Sequence, residues 1–341
     1  MPNGEMRLFS CKSGEYFAKK VASILNSNGA CEGLERYPVM EFANGERKCY
    51  GIERSVRMDD AYLFQEGAGD TELSVDDRFM DLCRAIDGLK NGAHAKNVTV
   101  VMPLMPYARQ DKVWTRGESF TAKLAANFLE GAGADRLVTM DLHADQIKGF
   151  FDIPVEGLYF SNVALPVLRE EFGKLNGLEN CVFLATDAGG AERAKHWNKN
   201  VAGSGLAFGS KTKSYDGIGG KTVEGVEITG EVNKRRVVII EDMVDTGGSV
   251  IGAAKAAKEM GALSVDIVAG HGIFSGKAFE NLDKAYGDGL IRKVHFSDSV
   301  NHGDKLAQRE WVNQISVDEL FARVIEKLHK GEGVSEVYRG G

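Results

Sequence analysis

The stretch Arg236–Ser249, RVVIIEDMVDTGGS, constrains this chain more than any other. A β-branched apolar run, Val237 to Ile240, reads as a buried strand that stops at two acids, Glu241 and Asp242. Asp245-Thr246-Gly247-Gly248-Ser249 follows, and then an alanine-rich helical pattern from Val250 to Met260. Buried strand, acidic pair, small-residue turn and helix start form one unit. The turn's backbone N–H groups and the helix N-terminus attract a phosphate. The acids stand where they can accept hydrogen bonds from ribose hydroxyls. An ordinary βα connection also carries Gly and a capping Ser or Thr. It does not explain two carboxylates at a buried strand's end, whose desolvation needs a compensating ligand. The loop therefore points to a phosphorylated sugar before any fold is argued.

Short apolar runs alternate with helical patterns along nearly the whole chain. Strands are expected at Arg7–Ser10, Ala61–Gln65, Val98–Met102, Arg136–Met140, Val182–Ala185, Gly205–Phe208, Arg236–Ile240 and Ser264–Ala269. Helices are expected at Tyr16–Leu25, Asp76–Leu89, Thr121–Glu130, Ser161–Phe172, Glu192–Trp197, Val250–Met260 and Val317–Leu328. This alternation implies an α/β fold with mainly parallel sheets. The segments Thr121–Ala144 and Gly252–Ile273 echo one another: each is an Ala/Lys helix, a Gly-Ala stop, a β-branched strand and a histidine. Two copies of one α/β unit would explain the echo, and so would chance likeness between two generic units. The expected division is 1–158, 159–312 and a C-terminal helix and tail, 313–341, packing back on the first domain.

No apolar run approaches the roughly 20 residues of a membrane helix, and the N-terminus lacks the layout of a secretory signal. The formal net charge is −7, with basic residues interspersed among acids, so neither a nucleic-acid nor a membrane partner is expected. Five scattered cysteines without a CxxC read as reduced thiols of a cytoplasmic protein.

Other polar clusters are less specific alone. Arg109, Gln110 and Asp111 follow a strand and a Pro-Tyr-Ala turn; Arg109 could hold a phosphate in its fork or make a surface ion pair. Asp141, His143 and Asp145 alternate just past a strand, a pattern open to a divalent cation, a phosphate or a structural histidine. Asp187 ends another strand before Gly189-Gly190, which either admits a ligand's close approach or makes a tight turn. Lys211-Thr212-Lys213 opens a Gly- and Lys-rich stretch, read as a mobile cationic loop or a solvated hairpin. Gly220-Lys221-Thr222 is not a P-loop, because the glycine required five positions earlier is Tyr215. Phe42–Glu46, FANGE, gains meaning only if a base must be stacked.

Together these blocks resemble the ribose-phosphate pyrophosphokinase (phosphoribosyl-diphosphate, PRPP, synthetase) family. The likeness covers almost the whole length: FANGE at 42–46, PYARQDK at 106–112, the run at 121–160 containing MDLHADQIKGFFDIPV, TDAGG at 186–190, EDMVDTGGS at 241–249, HGIFSGKA at 271–278 and LHKGEGVSEVY at 328–338. The resemblance implies two type I phosphoribosyltransferase-like domains. It implies transfer of the β,γ-diphosphate of MgATP to the C1 hydroxyl of ribose 5-phosphate, giving PRPP and AMP. It implies that Glu241, Asp242 and Asp245–Ser249 (Asp245, Thr246, Gly247, Gly248, Ser249), with Asp187, bind ribose 5-phosphate. Phe42, Asn44, Glu46, Arg109, Gln110, Asp111 and His143 would bind ATP, the first three from a neighbouring subunit. His143 and Asp187 would organise Mg²⁺, Lys211, Lys213 and His143 would be catalytic, and the chain would form a dimer-based homo-oligomer, typically a hexamer. A synthetase-like regulatory subunit without activity, and a PRPP-consuming type I phosphoribosyltransferase, are the competing readings.

The chain departs from the family pattern in places. Lys213 stands where Arg is usual and keeps the charge without the planar fork. Val113–Phe120, VWTRGESF, is less basic than expected, Met58 replaces a usual Gly, and Gly333 a usual Ser. The changes at 113–120, Met58 and Gly333 imply weakened or absent activation by phosphate and inhibition by ADP. Glu66–Asp77 is longer than usual, and Ser249 replaces a more common Thr with its hydroxyl kept.

Overall fold

The structure is a computed structural model that describes residues 4–70, 72–173, 177–215 and 222–338; the side chains of 211–215, 222–224, 336 and 338 lie outside the description. The chain divides into two compact units, one made of Met1–Tyr159, Ser299–Asn301 and Ser316–Gly341, the other of Phe160–Asp298 and His302–Ile315.

The first unit is built on an all-parallel six-stranded sheet. Its chain order is β1 (Met6–Ser10), α1 (Glu15–Ser27), β2 (Leu34–Arg36), a two-stranded hairpin of β3 (Val39–Glu41) and β4 (Arg47–Cys49), β5 (Asp60–Phe64), α2 (Val75–Asp87), β6 (Asn97–Val101), α3 (Thr121–Ala132), β7 (Arg136–Met140) and β8 (Val155–Leu158). In space the sheet runs β2-β1-β5-β6-β7-β8. Its strands read as continuous apolar runs because both faces are covered. Ser74 and Asp77 start α2 with a reciprocal capping box: the Asp77 N–H donates to the Ser74 hydroxyl at 3.1 Å and the Ser74 N–H to the Asp77 carboxylate at 3.0 Å. Gly133, in the left-handed region at φ 105°, ends α3. Met58 holds φ 69°, which explains why glycine suits that position and marks a local strain here.

The second unit carries a seven-stranded sheet, β11-β10-β9-β12-β13-β14-β15 in space, parallel except for the β10–β11 hairpin. Along the chain these are α4 (Ser161–Gly173), β9 (Cys181–Ala185), α5 (Ala191–Lys199), β10 (Gly205–Tyr215), β11 (Thr222–Thr229), β12 (Arg236–Val244), α6 (Gly248–Glu259), β13 (Ser264–Gly272), α7 (Ala278–Gly287), β14 (Lys293–Ser297) and β15 (Val312–Ile315). The chain then returns to the first unit as α8 (Asp318–His329) and the short α9 (Ser335–Tyr338). Fully buried Phe321 of α8 meets Phe17 of α1 edge-on at 5.1 Å.

Several expectations are corrected. β12 does not stop before the acids but runs through Glu241 and Asp242 to Val244, because its pairing with β13 continues to Gly272. Of the two readings of the 211–215 stretch, a mobile loop or a hairpin, the backbone follows the second: it is the end of β10 paired antiparallel with β11. The sequence echo equates α3–β7 with α6–β13, yet by strand order the counterpart of α3–β7 is α7–β14. The two units do share one winding, but the echoing segments occupy different places in it. An Ala-rich helix, a glycine stop and a β-branched strand recur in any such fold.

In the first unit, the long segment after β5 closes on itself through buried charge. The Arg78 guanidinium donates to Glu66 at 2.7 Å and also to Asp70 and the Ala68 carbonyl, while the Asn301 N–H donates to the other Glu66 oxygen at 3.1 Å. Burial pushes the Glu66 carboxyl from its ordinary 4.5 up to about 7, against the opposing pull of Asn301 and Arg78. An unfolded Glu66 ionises near 4.5 while the folded one stays protonated until about 7, so stability falls as pH rises through that window and the loss is complete above it. The loss is roughly 3 kcal/mol. Glu66→Gln should therefore match the wild type in thermal stability at pH 4.5 and exceed it at pH 8. An equal offset at both pH values would mean that the carboxyl is ionised throughout.

Candidate active site

The sheet order of the second unit creates the site. From β9 the chain crosses through α5 to β10 on one side, then returns to β12 on the other. The carboxyl ends of β9 and β12 therefore flank a topological switch point, where ligands of wound parallel sheets bind. Ala185 pairs with Ile240, so Thr186 and Glu241 stand level at that edge. Side chains alternate along a strand, so Glu241 and Asp242 project to opposite faces and need different partners. The Thr186 hydroxyl donates to the Glu241 carboxylate, and Arg193 of α5 lies 3.4 Å from buried Asp242. Burial pushes Glu241 up to about 7; the Thr186 hydrogen bond and Arg193 oppose the rise, and Asp242 and Asp187 add to it. Exposed Asp187 accepts the Gly190 N–H at 3.1 Å, which shapes the turn into α5.

Next to the acids lies the turn Asp245–Ser249. The Ser275 hydroxyl donates to the Asp245 carboxylate, and Asn281 donates to the Thr246 carbonyl at 3.1 Å. Gly247 takes φ 82°, a conformation natural to glycine, and no side chain caps the helix that follows. The first amide bonded back into α6 is Ile251 to the Gly247 carbonyl at 3.0 Å. The amides of Gly248, Ser249 and Val250 precede it and form the ready anion site of a helix N-terminus. The structure thus brings together Asp187, Glu241, Asp242 and Asp245–Ser249.

In the first unit, Phe42–Glu46 is the tip of the β3–β4 hairpin, tied by Phe42 N–H to the Glu46 carbonyl at 2.8 Å and by Glu46 N–H to the Asn44 side chain at 3.1 Å. Phe42 is 44% exposed there. Arg109 and Gln110 are exposed after β6, whereas Asp111 is buried with one carboxylate oxygen lacking a partner among the described residues. His143 is half-buried after β7. Asp145 is already engaged by Lys148 at 3.1 Å and by the Tyr159 hydroxyl. Among the described residues no three His, Cys, Asp or Glu side chains are grouped as a preformed metal cage. His143 and Asp187, both assigned to Mg²⁺ by the family resemblance, belong to different units. Lys211 and Lys213 have side chains outside the described residues.

Sequence reasoning missed Thr186, Arg193, Ser275 and Asn281. Thr186 and Ser275 stood inside blocks already singled out, TDAGG and HGIFSGKA, but their partners lie far along the chain.

Comparison with known proteins agrees with this geometry. A family profile described as the N-terminal domain of ribose phosphate pyrophosphokinase matches residues 6–133, and one described as a phosphoribosyl synthetase-associated domain matches 210–339. A ribose-phosphate pyrophosphokinase of Thermotoga maritima is 35% identical over 340 residues, covering 99% of both chains. The chain belongs to the ribose-phosphate pyrophosphokinase family. The crystal structure of phosphoribosylpyrophosphate synthetase from Mycobacterium smegmatis superposes with a TM-score of 0.83 at 30% identity, covering 96% of this chain and 99% of that one. The two-unit α/β architecture is therefore that of the pyrophosphokinase family.

Removing Arg193 takes away the guanidinium that lies 3.4 Å from buried Asp242. Arg193→Ala should lower the unfolding free energy by about 2–3 kcal/mol, read from urea midpoints, and should cost much less in an Asp242→Asn background. Equal losses in both backgrounds would contradict the pairing.

Proposed function

We propose that this pyrophosphokinase-family enzyme transfers the β,γ-diphosphate of ATP to the C1 hydroxyl of ribose 5-phosphate, releasing AMP. The observation that carries this reading is the acidic pair beside an uncapped helix start at the switch point of the second unit. The amides of Gly248–Val250, with Thr246 and Ser249, receive the 5-phosphate. Glu241 and Asp242 accept hydrogen bonds from ribose hydroxyls and so orient the sugar. The C1 oxygen forms a bond to the β-phosphorus as the bond from that phosphorus to the α-phosphate oxygen breaks, and the hydroxyl proton passes to solvent. Lys211 and Lys213 supply positive charge for the transferred oxygens. Arg109, Gln110 and Asp111, with Phe42, Asn44 and Glu46 of a neighbouring subunit, hold the nucleotide.

Mg²⁺ fits this donor set. It is usually held by one or two protein groups together with substrate phosphates and waters, not by a protein cage, and Asp187 offers a carboxylate at the rim of the site. Asp187 would hold it in the second unit, with His143 of the first unit as a separate candidate contact for metal or nucleotide, and when bound it neutralises charge on the ATP phosphates.

We also infer a homo-oligomer, built from dimers. Support comes from an apolar strip on the first unit, where Met80, Leu124 and Phe128 are each more than two-fifths exposed beside a groove of about 250 Å³. Such contiguous patches mark protein contacts. No described helix is long and apolar enough to cross a membrane, and the five cysteines are free; we place the enzyme in the cytoplasm.

The test is product identity. Incubation with MgATP and ribose 5-phosphate should yield AMP in step with PRPP, and Lys211→Ala should lower turnover at least about a hundredfold, the scale of losing a transition-state contact. ADP in place of AMP would mean an ordinary kinase. No turnover would favour a regulatory subunit.

A further inference from the structure

We propose that Thr186 is a positioning residue for the sugar: its hydroxyl, donating to Glu241, fixes the orientation of that carboxylate and presents its second oxygen to a ribose hydroxyl. The inference rests on the reading that Glu241 receives the sugar. A glutamate has three rotatable side-chain bonds, one more than an aspartate, and its acceptor oxygen must be held to within a few tenths of an ångström to bind a hydroxyl well. The brace has to come from a neighbouring element. Across the sheet, β13 places Ala269 opposite Glu241 and offers no donor. Asp242 and Asp187, the acids nearest it, repel it, and Arg193 is paired with Asp242.

Thr186 is suited to the task for three reasons. It is 3% exposed, so water does not readily replace it. It is β-branched and therefore stiff at χ1. The β9–β12 register sets it level with Glu241. The segment that follows β9 thus engages both acids, Asp242 through Arg193 of α5 and Glu241 through Thr186.

Thr186→Val keeps the branch and removes the hydroxyl. It should raise KM for ribose 5-phosphate about tenfold, the loss of one hydrogen bond to a charged group. KM for MgATP and kcat should change by less than about threefold. Thr186→Ser, which restores the donor, should return KM for ribose 5-phosphate close to wild type and serves as the test if the valine variant is poorly folded. Glu241→Gln and the double variant should have similar KM values for the sugar, because the hydroxyl acts through Glu241. An unchanged KM for ribose 5-phosphate in the valine variant, an equal rise in both KM values, failure of serine to rescue, or multiplicative effects in the double variant would each overturn the proposal. A wild type that makes no AMP from the two substrates would instead remove the functional reading itself, and the sugar role of Thr186 with it.

Discussion

The parallel register between β9 and β12 is the constraint on which the site depends. Val237, Val238, Ile239 and Ile240 are completely buried, and their pairing with Val182–Ala185 fixes β12 along its neighbour. A slip of one residue would exchange the faces of Glu241 and Asp242. Each acid would then lose its partner, since the Thr186 hydroxyl and the Arg193 guanidinium reach opposite sides of the strand. The hydrophobic strand interior, which has no chemistry of its own, thereby sets the position of two carboxylates.

The two units make different use of one winding. In the first, the switch point lies between β1 and β5, and the segment that follows β5 is closed by Arg78 bonding to Glu66, Ala68 and Asp70. In the second, the equivalent edge stays open, with an uncapped α6 and an exposed Asp187. Buried charges satisfied by protein partners make a closed structural element. Both Glu66 oxygens are taken by protein donors, whereas Thr186 holds one oxygen of Glu241 and leaves the other for a ligand.

Much of this was legible in one dimension, and the failures have physical reasons. Long apolar runs gave the central strands, and the small-residue turn Asp245–Ser249 leading into a helix was readable because turn glycines and a helix start are local features. Three-residue strands such as β2, β3 and β4 lie below any reliable period. The continuation of β12 through Glu241 and Asp242 was hidden because acids are poor strand formers, and only pairing with β13 keeps them extended. Thr186 and Glu241 are 55 positions apart, so their hydrogen bond is a property of strand order and not of any motif. Glycine at the Met58 position was a resemblance-based expectation whose cause is the positive φ that methionine retains.

The most direct test of the central claim is a titration of the isotopically labelled protein with ribose 5-phosphate alone, followed by backbone amide chemical shifts. The account predicts one sugar phosphate bound per chain, with the largest shifts at Thr246–Val250 and at the Thr186–Gly190 turn. Binding that leaves these amides unmoved, with the shifts confined to the first unit, would contradict it.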